Sequence, residues 1–310
     1  METLDTITTP ANLPGVSVVI LTYNNNAFIL RCLESLLWQT YSNFEIIVVD
    51  NASHDGTADM VASSRYIDTV RLIRNERNLG CAGGNNMGWR AAKGDIVVFL
   101  NPDVVVVPDW LEHLVDGLLR TRGAVIAGCK MYYPNSNILQ HAGGILHSNA
   151  MSEHYGSGKP DDGTYNELRE VDFVTGAAIA VKRSFLEQMN GFDEDYFPAY
   201  YEETDLCWRA RKAGYKVIYV PDAVLFHYES SSLTRLSPSF YRIFYRSRII
   251  FLIKNYTLKD WFFKFLPFEI RWFLLEPIAR GYRLMQFRAY IQGLAFVMSK
   301  VWKRSKKNEI

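Results

Sequence analysis

Three apolar runs in this chain stop abruptly at polar side chains. Val16–Thr22 gives way to Thr22-Tyr23-Asn24, Phe44–Asp50 to Asp50-Asn51, and Asp95–Leu100 to Asn101-Pro102-Asp103. A denser polar cluster follows between Asp193 and Arg209, where Glu202, Glu203 and Asp205 sit close together. Carboxylates and carboxamides grouped in this way can accept hydrogen bonds from a polar ligand, hold a cation or take up a proton. Any one strand end is also explained by the turn-forming habit of Asn, Asp and Gly. One acid at a helix start is explained by the helix dipole. Three polar strand ends on one edge, and three acids in one helix start, exceed what those habits supply.

The elements that must position these residues can be read from periodicity. Val16–Thr22 and Phe44–Asp50 are mostly apolar runs of the kind buried on both faces of a parallel sheet. Between them, Ile29, Leu33, Leu36 and Leu37 fall on one helical stripe. A polar turn over 51–56 leads to a short helix from about Thr57, and a third strand lies near Val70–Ile73. A glycine-rich turn, Asn78 to Asn86, leads into another helix, with the fourth strand over Asp95–Leu100. Strand and helix in alternation predict a doubly wound α/β sheet, whose ligands bind at the carboxyl ends of the strands. Residues 131–170 read as loops and short hairpins. Val171–Arg183 reads as a strand with small residues at its middle, where a ligand or a helix could lie against backbone. A helix from near Glu203 to about Ala213, stopped by Gly214, precedes a final strand over Lys216–Val220 and then Phe226-His227-Tyr228.

Several functions are excluded. A dinucleotide site needs Gly-x-Gly-x-x-Gly straight after the first strand, and Thr22 to Asn26 contains no glycine. No Gly-Lys-Ser/Thr occurs, so a P-loop is missing too. The four cysteines, Cys32, Cys81, Cys129 and Cys207, are widely spaced. They suggest neither a zinc site nor a disulfide framework, and they suit a reducing cytoplasm. The N-terminus has acidic residues and no apolar core, unlike a signal peptide.

Taken in order, Val18-Val-Ile-Leu-Thr-Tyr-Asn24, Ile47-Val-Val-Asp-Asn-Ala-Ser53, Asn78-Leu-Gly-Cys-Ala-Gly-Gly-Asn85, Phe99-Leu-Asn-Pro-Asp103 and Tyr201-Glu-Glu-Thr-Asp-Leu-Cys-Trp208 resemble an inverting family 2 glycosyltransferase of GT-A fold, in the bacterial rhamnosyltransferase-like branch. The resemblance covers about residues 16–235. It implies an α/β fold with a mostly parallel central sheet and a nucleotide-diphosphate sugar as donor. Thr22, Tyr23 and Asn24 would line the nucleobase, with Asp50 accepting from a pyrimidine N3–H and Asn51 beside it. Asn78, Gly80 and Asn85 would wrap the ribose and diphosphate. Asn101-Pro102-Asp103 stands in the place of the family's Asp-x-Asp metal motif, so Asp103 becomes the main carboxylate, and His227 matches a histidine that some members use as a further ligand. Glu203 stands where the family usually has Asp and would be the base, with Glu202 and Asp205 beside it and Trp208 and Arg209 facing the acceptor. The cofactor implied is Mn²⁺ or Mg²⁺, with His227 favouring Mn²⁺ because imidazole suits the softer ion.

The charge is unevenly distributed. Residues 236–310 carry 15 Lys/Arg against 4 Asp/Glu, while the rest of the chain is acidic. Aromatics alternate with these bases, and charges interrupt every window of the ~18 apolar residues that a span needs. Interfacial amphipathic helices on an anionic membrane fit this pattern. A bundle packed on the catalytic domain, or a homodimer contact, is the alternative. Nucleic-acid binding has no further support. The division expected is therefore an extension over 1–15, a catalytic domain over 16–235 and a basic aromatic helical segment over 236–310. The activity expected is transfer to a glycan or polyprenyl-linked acceptor in cell-surface polysaccharide synthesis, by an enzyme peripheral on the cytoplasmic face of the membrane. Donors expected are dTDP-rhamnose, then a UDP-hexose. A nucleotide-sugar-binding protein without activity is disfavoured by the presence of Asp103 and an acid at 203. A nucleotidyltransferase is disfavoured by the lack of a basic glycine-rich loop near the N-terminus.

Overall fold

The computed structural model describes residues 13–229, 237–275, 287–293 and 295–296. Most of the expected N-terminal extension, and the Lys-rich stretch after Trp302, lie outside the described residues. Strands β1 (Val16–Thr22), β2 (Phe44–Asp50), β3 (Val70–Arg74) and β4 (Ile96–Leu100) alternate with helices α1 (Ile29–Leu37), α2 (Thr57–Ala62) and α3 (Gly80–Ala91). These four strands pair in parallel in the order β4-β1-β2-β3. Their register places Thr22 opposite Asp50 and Asp50 opposite Arg74. The polar strand ends therefore share one edge.

After β5 (Val104–Val106) and α4 (Trp110–Arg120), the sheet continues with β6 (Ala124–Tyr132). Short strands β7 (Leu139–His141), β8 (Gly144–Leu146), β9 (Ser152–His154) and β10 (Arg169–Glu170) follow, then β11 (Ala178–Lys182). Helices α5 (Arg183–Met189) and α6 (Glu202–Lys212) lead to β12 (Lys216–His227). β11 is antiparallel to both β4 and β6, whereas β12 is parallel to β6. The sheet is thus mostly parallel at its core strands but not uniformly doubly wound.

Packing revises several boundaries read from sequence. The glycine-rich run is not a turn before α3 but its first turns. A Cβ at Gly84 would lie 2.3 Å from Leu21 Cδ1, and one at Gly88 2.2 Å from Val19 Cγ1, so only glycine lets this helix rest on β1. Leu37 is exposed, because the buried stripe of α1 runs through Ile29, Cys32, Leu33 and Leu36. The expected strand over 171–183 contracts to β11. The expected last strand is longer, continuing past a register shift between Val220 and Val224 as far as His227. Pro221 falls at that shift, where a missing N–H costs no ladder bond.

The expected C-terminal segment opens with a helix. Helix α7 (Pro238–Asn255) is capped by the Ser237 side chain, which accepts from Phe240 N–H. It buries Tyr241, Tyr245, Ile249, Ile250, Phe251 and Leu252 against Tyr196 and Tyr201 of the globule. α7 therefore packs on the globule through this face. A short helix α8 (Leu258–Asp260), a π-helical turn and α9 (Leu266–Leu275) follow. No helix among the described residues is long and apolar enough to cross a membrane. Arg248 and Glu269 form a buried ion pair, with Arg248 Nη1 3.0 Å from Glu269 Oε1, and Asn149 Nδ2 donates to the same carboxylate at 2.9 Å.

A buried charge that loses its partner is costly, while replacing both partners by apolar groups is often neutral. Arg248→Met should therefore lower stability by about 3–5 kcal/mol. The double variant Arg248→Met/Glu269→Leu should recover most of that loss. Denaturant unfolding reads both, and a neutral single variant would show that α7 is held by its apolar contacts alone.

Candidate active site

The strand ends, the start of α6 and one face of α7 enclose a cavity of about 620 Å³. Tyr23, Asn85, Asn101, Asp103, Glu202, Glu203 and His227 all line it, as do Asn51, Asn78 and Gly80. Asn51 and Asn78 spend their side chains on the scaffold. Asn51 Nδ2 donates to Asn78 Oδ1 at 2.9 Å and to Gly80 O at 3.2 Å, while Asn51 Oδ1 accepts from Leu79 N at 3.0 Å. These bonds tie the end of β2 to the start of α3. Asn24 does not reach the cavity, since its Oδ1 caps the 51–56 turn by accepting from His54 N at 2.8 Å. Thr22 is fully buried, and Asp50 opens instead into a neighbouring pocket of about 310 Å³ with Ser53, Arg74 and Asn75. Asp50 Oδ2 accepts from Ser53 N at 3.0 Å, while its Oδ1 is buried without a hydrogen-bond partner in the structure.

Asp103 and His227 arrive from opposite directions. β5 pairs antiparallel with the end of β12, setting Val104 opposite His227, and Tyr228 N–H donates to Asp103 O at 2.9 Å. His227 Nε2 lies 3.3 Å from Asp103 Oδ1, and both side chains are largely buried.

The acids of α6 separate by role. Tyr200 and Tyr201 both adopt left-handed backbone conformations, φ 72° and 73°, immediately before the helix. Such conformations cost about 1–3 kcal/mol each for non-glycine residues and persist where surroundings enforce them. Here Tyr201 OH donates to Ala150 O at 2.6 Å, and Ser247 of α7 donates to Ala199 O at 3.0 Å. The strained turn delivers Glu202 and Glu203 to the cavity. Glu203 packs over Gly176, whose added Cβ would meet Glu203 Cγ at 3.6 Å. Burial pushes Glu202 well above the ordinary glutamate range, and the charge of Glu203 adds to this. Burial raises Glu203 as well, opposed by backbone hydrogen bonds and Thr204. Burial thus holds both carboxyls above the ordinary glutamate range, and a charge on one disfavours a charge on the other.

Asp205, Trp208 and Arg209 do not line the cavity, contrary to the sequence reading. Asp205 is buried and accepts from Arg209 Nε at 2.7 Å, Asn255 Nδ2 at 2.9 Å and Tyr196 OH at 3.0 Å. Arg209 also donates to Met189 O and Gly191 O. Trp208 packs on Phe251 and Tyr256. Helical periodicity explains the outcome: Asp205 lies about 200° around the helix from Glu203, so the two cannot face one cavity. The side of the cavity toward α7 is walled by Tyr200, Phe240, Ile243 and Phe244. Phe240 and Phe244 stack with centroids 5.7 Å apart, four residues apart on α7. Gln140, which also lines the cavity, lies in a segment with no period to single it out.

This sheet and cavity are those of a GT-A glycosyltransferase. The structure of GalNAc-T7 with UDP, GalNAc and Mn²⁺ matches 94% of this chain and 58% of that chain, at a TM-score of 0.65 and 16% identity. The mannosyltransferase PcManGT of Pyrobaculum calidifontis, in complex with GDP-Man and Mn²⁺, matches 94% of this chain and 81% of that chain at a TM-score of 0.58 and 20% identity. The model of glycosyl transferase family 2 matches residues 17–189, and the chain belongs to that family. It is a glycosyltransferase, of the inverting type characteristic of the family. The N-acetylglucosaminyl-diphospho-decaprenol L-rhamnosyltransferase of Mycobacterium tuberculosis is 29% identical over 86% of this chain and 92% of its own length. The amylovoran biosynthesis glycosyltransferase AmsB of Erwinia amylovora is 31% identical over 66% of each. An uncharacterized Sinorhizobium fredii protein, y4gI, is 33% identical over 71% of this chain, which spans only 25% of that longer protein.

The raised carboxyls have a consequence for stability. A glutamate held above its ordinary value of about 4.3 keeps a proton that the unfolded chain releases. Stability therefore falls as pH rises from that value through the raised folded one. Glu202→Gln removes the effect, so the variant should be more stable than wild type at neutral pH, with the difference shrinking toward about pH 4. Urea midpoints at the two pH values give the answer. A difference that is flat with pH would mean Glu202 is already ionised in the folded state.

Proposed function

We propose that the chain transfers a sugar from a nucleotide-diphosphate donor to a glycan or polyprenyl-linked acceptor, with Mn²⁺ or Mg²⁺ bound at Asp103 and His227. The observation that carries this reading is the meeting of Asp103, His227 and the Glu202–Glu203 pair around one cavity. L-rhamnose on a dTDP carrier is the first donor to test, after the mycobacterial relative, with UDP-hexoses next. The buried, unpartnered Asp50 Oδ1 suits a pyrimidine N3–H, and Tyr23 and Asn85, which line the cavity, would contact the nucleobase and the diphosphate.

The two side chains suit a cation. Gln140 Oε1 can only accept, so His227 carries its proton on Nδ1 and in its neutral form turns a lone pair from Nε2 toward a carboxylate oxygen 3.3 Å away. An imidazole nitrogen and a carboxylate oxygen are ligand types that Mn²⁺ accepts. Among the described residues no third His, Cys, Asp or Glu joins them, which agrees with an ion that takes its other ligands from phosphate oxygens and water. The ion would neutralise charge on the departing nucleoside diphosphate.

Glu203, at the position where the family usually has its acid, takes the proton of the acceptor hydroxyl as that oxygen attacks the anomeric carbon. The bond to the diphosphate breaks on the opposite face, inverting the centre. Burial, which pushes the Glu202 carboxyl well up, disfavours a second charge beside the base. The apolar wall of Tyr200, Phe240, Ile243 and Phe244 excludes water and suits the hydrocarbon end of a lipid-linked acceptor. Leu258, Phe262 and Phe263, which are 80%, 65% and 76% exposed, stand among the exposed bases Lys259, Lys264 and Arg271. Aromatic and basic side chains so mixed support seating on an anionic membrane surface.

Glu203→Gln keeps the shape but cannot accept a proton, so the turnover number should fall by about 10²-fold or more with donor affinity near wild type. Steady-state kinetics with a binding isotherm for the donor separate the two, and an active Glu203→Gln enzyme would place the base elsewhere. Asp103→Ala should abolish transfer while leaving the unfolding midpoint intact. EDTA should do the same reversibly, with activity returning on adding Mn²⁺ or Mg²⁺. Full turnover in EDTA would sink the metal reading.

A further inference from the structure

The hydrogen bond that orients His227 comes from a part of the chain distant in sequence. Gln140 lies at the centre of β7, which pairs antiparallel with β6, the strand against which β12 runs in parallel. The Gln140 side chain is buried, and its Oε1 accepts from His227 Nδ1 at 2.6 Å across 87 positions. Without that acceptor the imidazole could place its proton on either nitrogen. With the proton on Nε2, the ring would donate to Asp103 and could not bind a cation. With the proton on Nδ1, Nε2 is a ligand atom whose direction is set by the ring plane.

We infer that Gln140 is a positioning residue: it fixes the tautomer and the plane of His227 so that Nε2 and Asp103 face one divalent cation. This rests on the cation reading above. Partners of this outer kind typically change metal affinity by about 10–100-fold when removed. The arrangement also makes β7, in a segment that reads as loops, a working part of the site.

The test uses the full-length chain and Mn²⁺ alone as probe. Its variants are Gln140→Leu, Gln140→Glu and His227→Ala, with the double variant Gln140→Leu/His227→Ala. Nitrogen NMR of the histidines in metal-free protein should show His227 as the Nδ1–H form in wild type and in Gln140→Glu, and a mixture in Gln140→Leu. Titration followed by electron paramagnetic resonance should show the Mn²⁺ dissociation constant rising about 10–100-fold in Gln140→Leu. It should stay near wild type in Gln140→Glu, whose carboxylate accepts the same proton. In the His227→Ala background, Gln140→Leu should cause no further loss, because the group it positions is gone. An unchanged tautomer or unchanged Mn²⁺ affinity in Gln140→Leu overturns the proposal, as does an equal loss in the His227→Ala background. If wild type and His227→Ala bind Mn²⁺ alike while the Nδ1–H form still depends on Gln140, the cation reading itself has failed, and the proposal falls with it.

Discussion

A single buried carboxylate holds helix α6 in place. Asp205 accepts from its own helix through Arg209, from the preceding loop through Tyr196 and from α7 through Asn255. A buried charge is tolerated only when hydrogen bonds and an opposite charge replace the water it has lost. Asp205 obtains both by drawing three separate segments to one point. Arg209 extends the tie to the backbone at Met189 and Gly191. With α6 clamped at that depth, the left-handed Tyr200–Tyr201 turn is enforced, and Glu202 and Glu203 have only the cavity to face.

The same clamp explains why α7 belongs to the site. Its inner face supplies Asn255 to Asp205 and Ser247 to the strained turn, and its Phe240–Phe244 pair closes the cavity. A helix rich in arginine and aromatics thereby divides its labour. The buried Arg248–Glu269 pair anchors it to the chain that follows, and its N-terminal aromatics wall the cavity. The large apolar side chains of Leu258, Phe262 and Phe263 beyond it stay exposed.

At the other side of the cavity, electrostatics are arranged by strand pairing. The short antiparallel pairing of β5 with the end of β12 brings Asp103 against His227. That pairing exists because β12 runs on past the Pro221 shift. With Asn101 in place of an acid, Asp103 is the carboxylate of this loop, and His227 Nε2 lies 3.3 Å from it.

Much of this was legible in the amino-acid order. Apolar runs with a two-face buried pattern gave β1 to β4 within a residue or so, because strands buried on both sides leave a continuous signal. The polar residues where those runs stop were visible for the same reason, and a parallel register brings such ends to one edge. Legibility failed where a residue's role depends on which way its side chain turns. Glu202, Glu203 and Asp205 look alike in sequence, yet 100° of helical rotation per residue sends two to the cavity and one to the packing behind it. Trp208 and Arg209 follow Asp205 inward. Gln140, Tyr200, Phe240 and Phe244 carry no local pattern, since their neighbours in space lie tens of residues away. Local periodicity encodes which atoms are buried and where chain segments end. The pairing of distant segments, and with it the identity of each side chain's partner, exists only once the chain has packed.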